Sequence, residues 1–122
     1  MDDLLDAADD DFCYLMTRGR RTGRSHEIEI WFALDGRTLY LLSGGREKSD
    51  WVRNLRAQPA VTVRLRNTAY RGKARVVDDG AESEHGRTLV FEKYQPRYSG
   101  SLRRWRRESL LVAIDVAATR EG

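Results

Sequence analysis

The sequence predicts a mainly β (α+β) domain in which six antiparallel strands close toward a barrel, with two or three helices on its periphery. Three observations carry this. Short runs alternate apolar and polar residues with a period of two. Turn signals at Asp35-Gly36, Asn67-Thr68 and Asp78-Asp79-Gly80 separate them. One well-formed amphipathic helix falls between the third and fourth strands, instead of a helix after every strand. Regular alternation of strand and helix would mark a parallel sheet, so this order favours antiparallel pairing.

Residues 1–11 contain six Asp and no base, and form an acidic tail or a short helix ahead of a single domain over 12–122. Residues 12–18 are β-prone. Residues 26–34 alternate strictly, with Ile28, Ile30, Phe32 and Leu34 on one face, and read as one strand. Asp35-Gly36 is a two-residue hairpin signal that returns the chain through residues 38–43. The following helix has its N-cap at Ser49 or Asp50 and its stop at Pro59, and buries Trp51, Val52 and Leu55. Val61, Val63 and Leu65 then mark the inner face of a fourth strand, and Tyr70, Ala74 and Val76 that of a fifth. A helical stretch runs to about Tyr94 with Leu89, Val90 and Tyr94 inward. Residues 110–116 are apolar almost throughout, the pattern of a central strand.

The chain has 122 residues, enough for one core. It contains no run of the roughly 18 apolar residues a membrane span requires. An acidic start is unlike a secretory leader, and a single Cys13 fits a reducing compartment, so the expected location is the cytoplasm. Arginine supplies 19 of the 22 basic residues, and the six N-terminal Asp leave the rest of the chain more basic than the formal +3. The 103–107 knot (Arg-Arg-Trp-Arg-Arg) pairs bases with one aromatic, as a nucleic-acid contact would, but the spread of the bases and the acidic tail argue against nucleic acid as a partner.

Residues 17–26, Thr-Arg-Gly-Arg-Arg-Thr-Gly-Arg-Ser-His, gather four arginines and two glycines in one loop. Guanidiniums donate bidentate hydrogen bonds, and glycine lets a ligand approach the backbone, so phosphate or carboxylate capture is one reading. A solvated hairpin loop is the other. The loop lacks the Lys-Ser/Thr ending of a phosphate-binding P-loop. Ser43-Gly44-Gly45 ahead of a helix could lie against a flat ring, or could be a plain strand-to-helix turn. His26 and His85 have no neighbours at metal-ligand spacing, so no metal is expected. Glu27 and Glu29 read as a solvated face or as partners for arginines, and Cys13 as inert core. The inventory holds binding groups without an evident nucleophile, so an enzyme built from it would rely on a cofactor for its chemistry.

Residues 14–23 (Tyr-Leu-Met-Thr-Arg-Gly-Arg-Arg-Thr-Gly), 39–45 (Leu-Tyr-Leu-Leu-Ser-Gly-Gly) and 50–59 (Asp-Trp-Val-Arg-Asn-Leu-Arg-Ala-Gln-Pro) together resemble the deazaflavin-dependent nitroreductase family. The resemblance covers residues 14 to about 65 in order and spacing. It implies a split β-barrel of the FMN-binding, flavin-reductase type. The implied cofactor is coenzyme F-420, an 8-hydroxy-5-deazaflavin with a phospholactyl-polyglutamate tail, with FMN as the alternative. The implied activity is hydride transfer from the reduced cofactor to an electrophilic small molecule such as a quinone or nitro compound. A non-catalytic carrier is the other possibility, and a homodimer is compatible with either.

Carried over by that resemblance, Arg20, Arg21, Thr22, Gly23, Arg24 and His26 face the tail. Ser43, Gly44, Gly45, Ser49 and Trp51 line the ring, and Tyr94 and Tyr98 meet substrate. The chain departs from the family pattern in placing Lys48-Ser49-Asp50 before Trp51, and in carrying His26 where some members have Arg.

Overall fold

The computed structural model describes residues 4–121, with side chains through residue 117. Seven strands form one antiparallel sheet: β1 Cys13–Arg18, β2 Ser25–Ile30, β3 Ala33–Asp35, β4 Thr38–Ser43, β5 Ala60–Leu65, β6 Thr68–Val77 and β7 Leu110–Glu121. Their order across the sheet is β2-β1-β5-β6-β7-β4-β3, curled into a half-barrel. Three helices complete it: α1 Asp50–Ala57, α2 Ala81–Tyr94 and α3 Arg103–Glu108.

The seventh strand comes from residues 26–34, expected as one strand and found as two. The inward residues keep their parity through the break: Phe32 belongs to the barrel core, and Ile28, Ile30 and Leu34 pack against it. Periodicity alone therefore could not reveal it. What breaks the strand is tertiary. The Phe32 N–H donates to the Tyr94 hydroxyl at 3.0 Å, and the Phe32 carbonyl accepts from Lys93 Nζ at 2.9 Å. Those bonds satisfy the backbone from α2 instead of from a neighbouring strand. The chain then crosses from one edge of the sheet to the other, with β2 paired to β1 and β3 paired to β4.

The hairpin at Asp35-Gly36 forms as expected, with Asp35 paired to Thr38 and Gly36 at φ 59°, where a side chain would be strained. The next turn lies one residue earlier than the Asn67-Thr68 signal, because Thr68 already pairs with Leu65 in β6. Residues 103–107, read only as a basic knot, form α3. Its Trp105 packs edge-on to Trp31 with ring centroids 5.6 Å apart. Its cations are also tied down, Arg104 to Glu108 and Arg106 to Glu84 and Thr88.

β4 and β7 bury both faces, which is why 110–116 reads as continuously apolar. Leu39, Leu41, Val112 and Ile114 fill the barrel, while Tyr40, Leu42, Leu111 and Ala113 meet α2. Each buried Leu, Val or Ile among them contributes about 1.5–3 kcal/mol. Gly86 lets α2 lie this close, since a Cβ there would stand 2.7 Å from the Tyr40 ring and 2.8 Å from Leu111. α1 places Val52 and Leu55 in the barrel core, and so fixes its polar face against the rim of β1. Residues 5–7 make one 3₁₀ turn, with Leu4 and Ala7 buried in the same core.

Candidate functional site

The rim between β1 and β2 is built before any ligand is considered. The Gly19 N–H donates to the Arg24 carbonyl at 2.7 Å, the Gly23 N–H to the Gly19 carbonyl at 2.9 Å, and the Arg24 N–H to Thr22 Oγ1 at 3.2 Å. Gly23 sits at φ 72°. The loop is thus an ordered tight turn. Gly19 has a second role. A Cβ there would lie 2.8 Å from His26 Nε2, so only glycine lets the imidazole fold down over the backbone.

Asn54 joins the loop to α1. Its amide, buried to 4% exposure, donates from Nδ2 to Thr17 Oγ1 at 3.3 Å. Its Oδ1 accepts from the Arg20 N–H at 3.3 Å and from Arg20 Nη1 at 2.9 Å. Arg20 also reaches Asp50, Nη2 to Oδ1 at 3.5 Å. Burial with both amide ends satisfied makes Asn54 a rigid post for Arg20. The sequence reading did not single it out. Two cues were present: its place in the 50–59 run that carries the family resemblance, and a polar residue on the apolar side of the helix.

These groups line a cleft of about 260 Å³ formed by Gly19, Arg20, Arg21, Thr22, His26, Asp50 and Asn54. Five of them can donate hydrogen bonds from side chains, and one, Asp50, is a carboxylate lying largely in solvent. Arg21 and Arg24 carry exposed guanidiniums. Such a donor set fits an anion with several acceptor oxygens, and so fits a phosphate-bearing acidic tail.

The second glycine loop meets the first at the start of α1. Ser43 Oγ lies 2.8 Å from Ser49 Oγ and donates toward the Arg46 carbonyl at 3.1 Å. Ser49 is the N-cap, but its hydroxyl turns to Ser43 instead of capping the helix. The first amides of α1 therefore lack a side-chain cap. A Cβ on Gly45 would stand 2.6 Å from Ser49 Oγ, so a side chain there would displace the Ser49 hydroxyl from Ser43. Gly44 is exposed and faces the Trp105 indole. Trp51 is half-buried against the barrel core.

The structure therefore brings Arg20, Arg21, Thr22 and His26 together in one cleft and Ser43, Gly44, Gly45 and Ser49 in an adjoining loop. Gly23 and Arg24 close the first turn without lining the cleft. Tyr94 departs from expectation. It is 1% exposed, stacked on Trp31 at 4.3 Å, with its hydroxyl between Phe32 and the Asp11 carbonyl (2.7 Å). Its ring is core and its hydroxyl is committed to backbone, so it offers no surface to a substrate. Tyr98 is exposed and packs edge-on to Trp31.

Other titratable groups outside the cleft are committed to the fold. Glu27 pairs with Arg64 and Glu29 accepts from Tyr14. His85 bonds Asp35 at 2.7 Å. Cys13 is wholly buried, and burial pushes its thiol up to about 12, which leaves it unreactive. Among the described residues no group of His, Cys, Asp or Glu is arranged to hold a metal, and no helix is long and apolar enough to cross a membrane.

Comparison with known proteins adds an independent line. Residues 6–115 match the family model described as F420H(2)-dependent quinone reductase. No curated protein matches the chain. Among solved structures, an F420-H2-dependent reductase aligns with a TM-score of 0.70 at 22% identity, covering 88% of this chain and 95% of that one. A conserved hypothetical protein from Mycobacterium tuberculosis aligns with a TM-score of 0.72 at 22% identity, covering 98% and 82%. A third, described as a domain-swapped dimer, aligns with a TM-score of 0.70 at 20% identity, covering 87% and 81%. At these identities the structures establish the shared fold.

Proposed function

Because the chain belongs to the F420H(2)-dependent quinone reductase family, we propose that it passes hydride from reduced F420 to a small electrophilic acceptor, a quinone or a nitro compound. Its cofactor is coenzyme F420, and the protein is a reductase. The observation that carries the site assignment is the cleft at the junction of the β1–β2 loop and α1, where donors converge around one peripheral carboxylate.

In this reading Arg20, Arg21, Thr22 and His26 hold the phosphate and acidic tail, with Gly23 and Arg24 setting the turn that presents them. Asn54 keeps Arg20 in place before the ligand arrives, which lowers the ordering cost of binding. Gly44, Gly45 and Ser49 lie along the ring; Ser43, expected beside them, is only 2% exposed with its hydroxyl spent inside the loop, so it supports them without meeting the ring. Gly44 leaves the backbone open to a flat surface, and the Ser43–Ser49 hydroxyl pair, whose hydrogens are spent within the loop and on the Arg46 carbonyl, holds the loop's shape behind it. Trp51 backs the ring end from the core side, and Tyr98 stands at the acceptor side with Trp31 behind it. When bound, reduced F420 supplies the hydride. The protein's part is to orient both partners and keep the ring end dry. Self-association, as in the domain-swapped relative, is the partner arrangement we expect, and light scattering tests it.

The test of function is a pair of measurements on the purified chain. Titration with oxidised F420 should quench tryptophan emission saturably, and reduced F420 should be oxidised when menadione or a nitroarene is added. Saturable binding with no turnover on any such acceptor would sink the acceptor assignment. No binding would sink the site.

A further inference from the structure

We propose that the cleft between α2 and α3 is a second binding site, shaped for an aromatic monoanion: a flat ring carrying one carboxylate or sulfonate. The site stands apart from the rim and does not depend on where F420 binds. The cleft, of about 450 Å³, is lined by Thr88, Phe91 and Glu92 from α2 and by Arg103, Arg106 and Arg107 from α3. None of these residues lines the rim cleft. Small-molecule pockets run from about 300 to 1,000 Å³, so the space suits one ring system and its substituent.

Helix spacing brings the arginines together. Positions 103, 106 and 107 stand three and four residues apart and share one face of α3. Trp105 lies about 200° around the helix from position 103. It packs the other way, against Trp31 and beside Gly44.

The three guanidiniums keep different company. Arg106 is fixed: Nη2 donates to Thr88 Oγ1 at 2.7 Å and pairs with Glu84, and its guanidinium stands 5.8 Å from the centre of the Phe91 ring. Phe91 is half-buried against the outer core, so ring and guanidinium form a wall already in place before a ligand arrives. Arg103 and Arg107 are exposed. Among the described residues the Arg103 guanidinium meets no acid. Arg107 reaches Glu108 only at 3.5 Å, on an oxygen that Arg104 Nε already holds at 2.8 Å.

Charge and shape together define the ligand. Guanidiniums stack on flat rings and donate paired hydrogen bonds to carboxylates and related oxyanions. With Arg106 matched by Glu84, two uncommitted cations face one carboxylate, Glu92. That excess of one is cancelled by a single anionic group. A neutral ring leaves it uncancelled, a bare anion leaves Phe91 uncovered, and a dianion meets Glu92.

Calorimetric titration of the intact chain tests this, with 2-naphthoate as the probe and 2-naphthalenemethanol, acetate and 2,6-naphthalenedicarboxylate as comparisons. Naphthoate should saturate one site and bind about tenfold or more tightly than the alcohol or acetate, with the dicarboxylate weaker than naphthoate. Arg103→Gln with Arg107→Gln removes two exposed side chains that the fold does not use, and should raise the naphthoate Kd about tenfold or more. Arg20→Ala with Arg21→Ala, at the rim, should leave that Kd unchanged. Absence of saturable naphthoate binding overturns the proposal, as does equal affinity for the alcohol. A Kd unmoved by the α3 double variant overturns it too, and a loss confined to the rim variant would assign the acid to the rim cleft instead.

Discussion

Arg75, on the outer wall of the barrel beneath α2, and Arg20, at the rim beside α1, carry the same guanidinium into different company. Arg75 donates to Glu82 through Nη1 at 2.6 Å and Nη2 at 2.7 Å, and to Asp115 through Nε at 2.7 Å and Nη2 at 3.1 Å. Tyr40 completes Glu82 and Thr38 completes Asp115. That network joins β4, β6, β7 and α2, and spends four of the five guanidinium hydrogens on acids within the fold. Arg20 meets a neutral amide at close range and a carboxylate only at 3.5 Å, while Arg21 beside it stands exposed in the cleft. Whether an arginine staples a fold or waits for an anion is decided by the acids that folding brings to it.

The largest expected effect breaks the ligand side of this comparison. Arg20→Ala with Arg21→Ala should weaken F420 binding by about 100-fold or more, since charge-assisted hydrogen bonds contribute about 1.5–3 kcal/mol each. Arg75→Met should leave the same Kd unchanged. Titration by tryptophan quenching checks both, and equal losses in the two variants would erase the distinction.

The stapling side predicts a smaller effect on stability. Arg75→Met should lower unfolding free energy by about 1–2 kcal/mol at neutral pH, a figure discounted for the exposure of the cluster. Its pH dependence has a definite sign. Arg75 first, and then the Tyr40 hydroxyl, holds the Glu82 carboxyl below its ordinary value. Arg75, helped by Thr38, does the same for Asp115. Groups depressed in the folded state stabilise it above their unfolded values, 4.5 and 3.8, and lose that contribution as pH falls through the lower folded ones. The wild type should thus lose stability faster than the variant below about pH 4.5. Urea midpoints across pH 3–7 would show it, and parallel curves would rule it out.

This contrast also marks what the sequence could disclose. Local chemistry was legible: Asp35-Gly36 folds as a hairpin, Ser49 occupies the N-cap position of α1 although its hydroxyl bonds elsewhere, and Val61, Val63 and Leu65 point inward as their spacing requires. The rim loop declared itself because its glycines and arginines are contiguous. What stayed hidden depends on residues far apart in the chain. Nothing near Arg75 in sequence identifies Asp115 as its partner, and nothing near Phe32 announces that Tyr94, 62 positions later, will end its strand. For the same reason Tyr94 looked like a substrate contact and proved to be a post. Asn54 stood in the 50–59 run that carries the resemblance, but its role as a post stayed hidden because Thr17 and Arg20 lie 37 and 34 positions away.

Asn54 therefore supplies the finest test of the comparison, because it separates holding an arginine from merely having one. Asn54→Ala leaves Arg20 in the sequence and removes its post, along with the partner of Thr17 Oγ1. The buried Thr17 hydroxyl then loses its donor, which should cost about 1–2 kcal/mol of stability. Arg20 is left to Asp50, a solvent-exposed partner that orders it less firmly, so F420 affinity should drop about three- to tenfold, well short of the double arginine variant. Asn54→Asp should behave differently. It keeps an acceptor for Arg20 but turns the amide into a carboxylate, converting the rim to the arrangement around Arg75, and affinity should fall further than with alanine although stability falls less. Should the aspartate variant bind F420 better than the alanine variant, acid pairing is not what separates the two arginines.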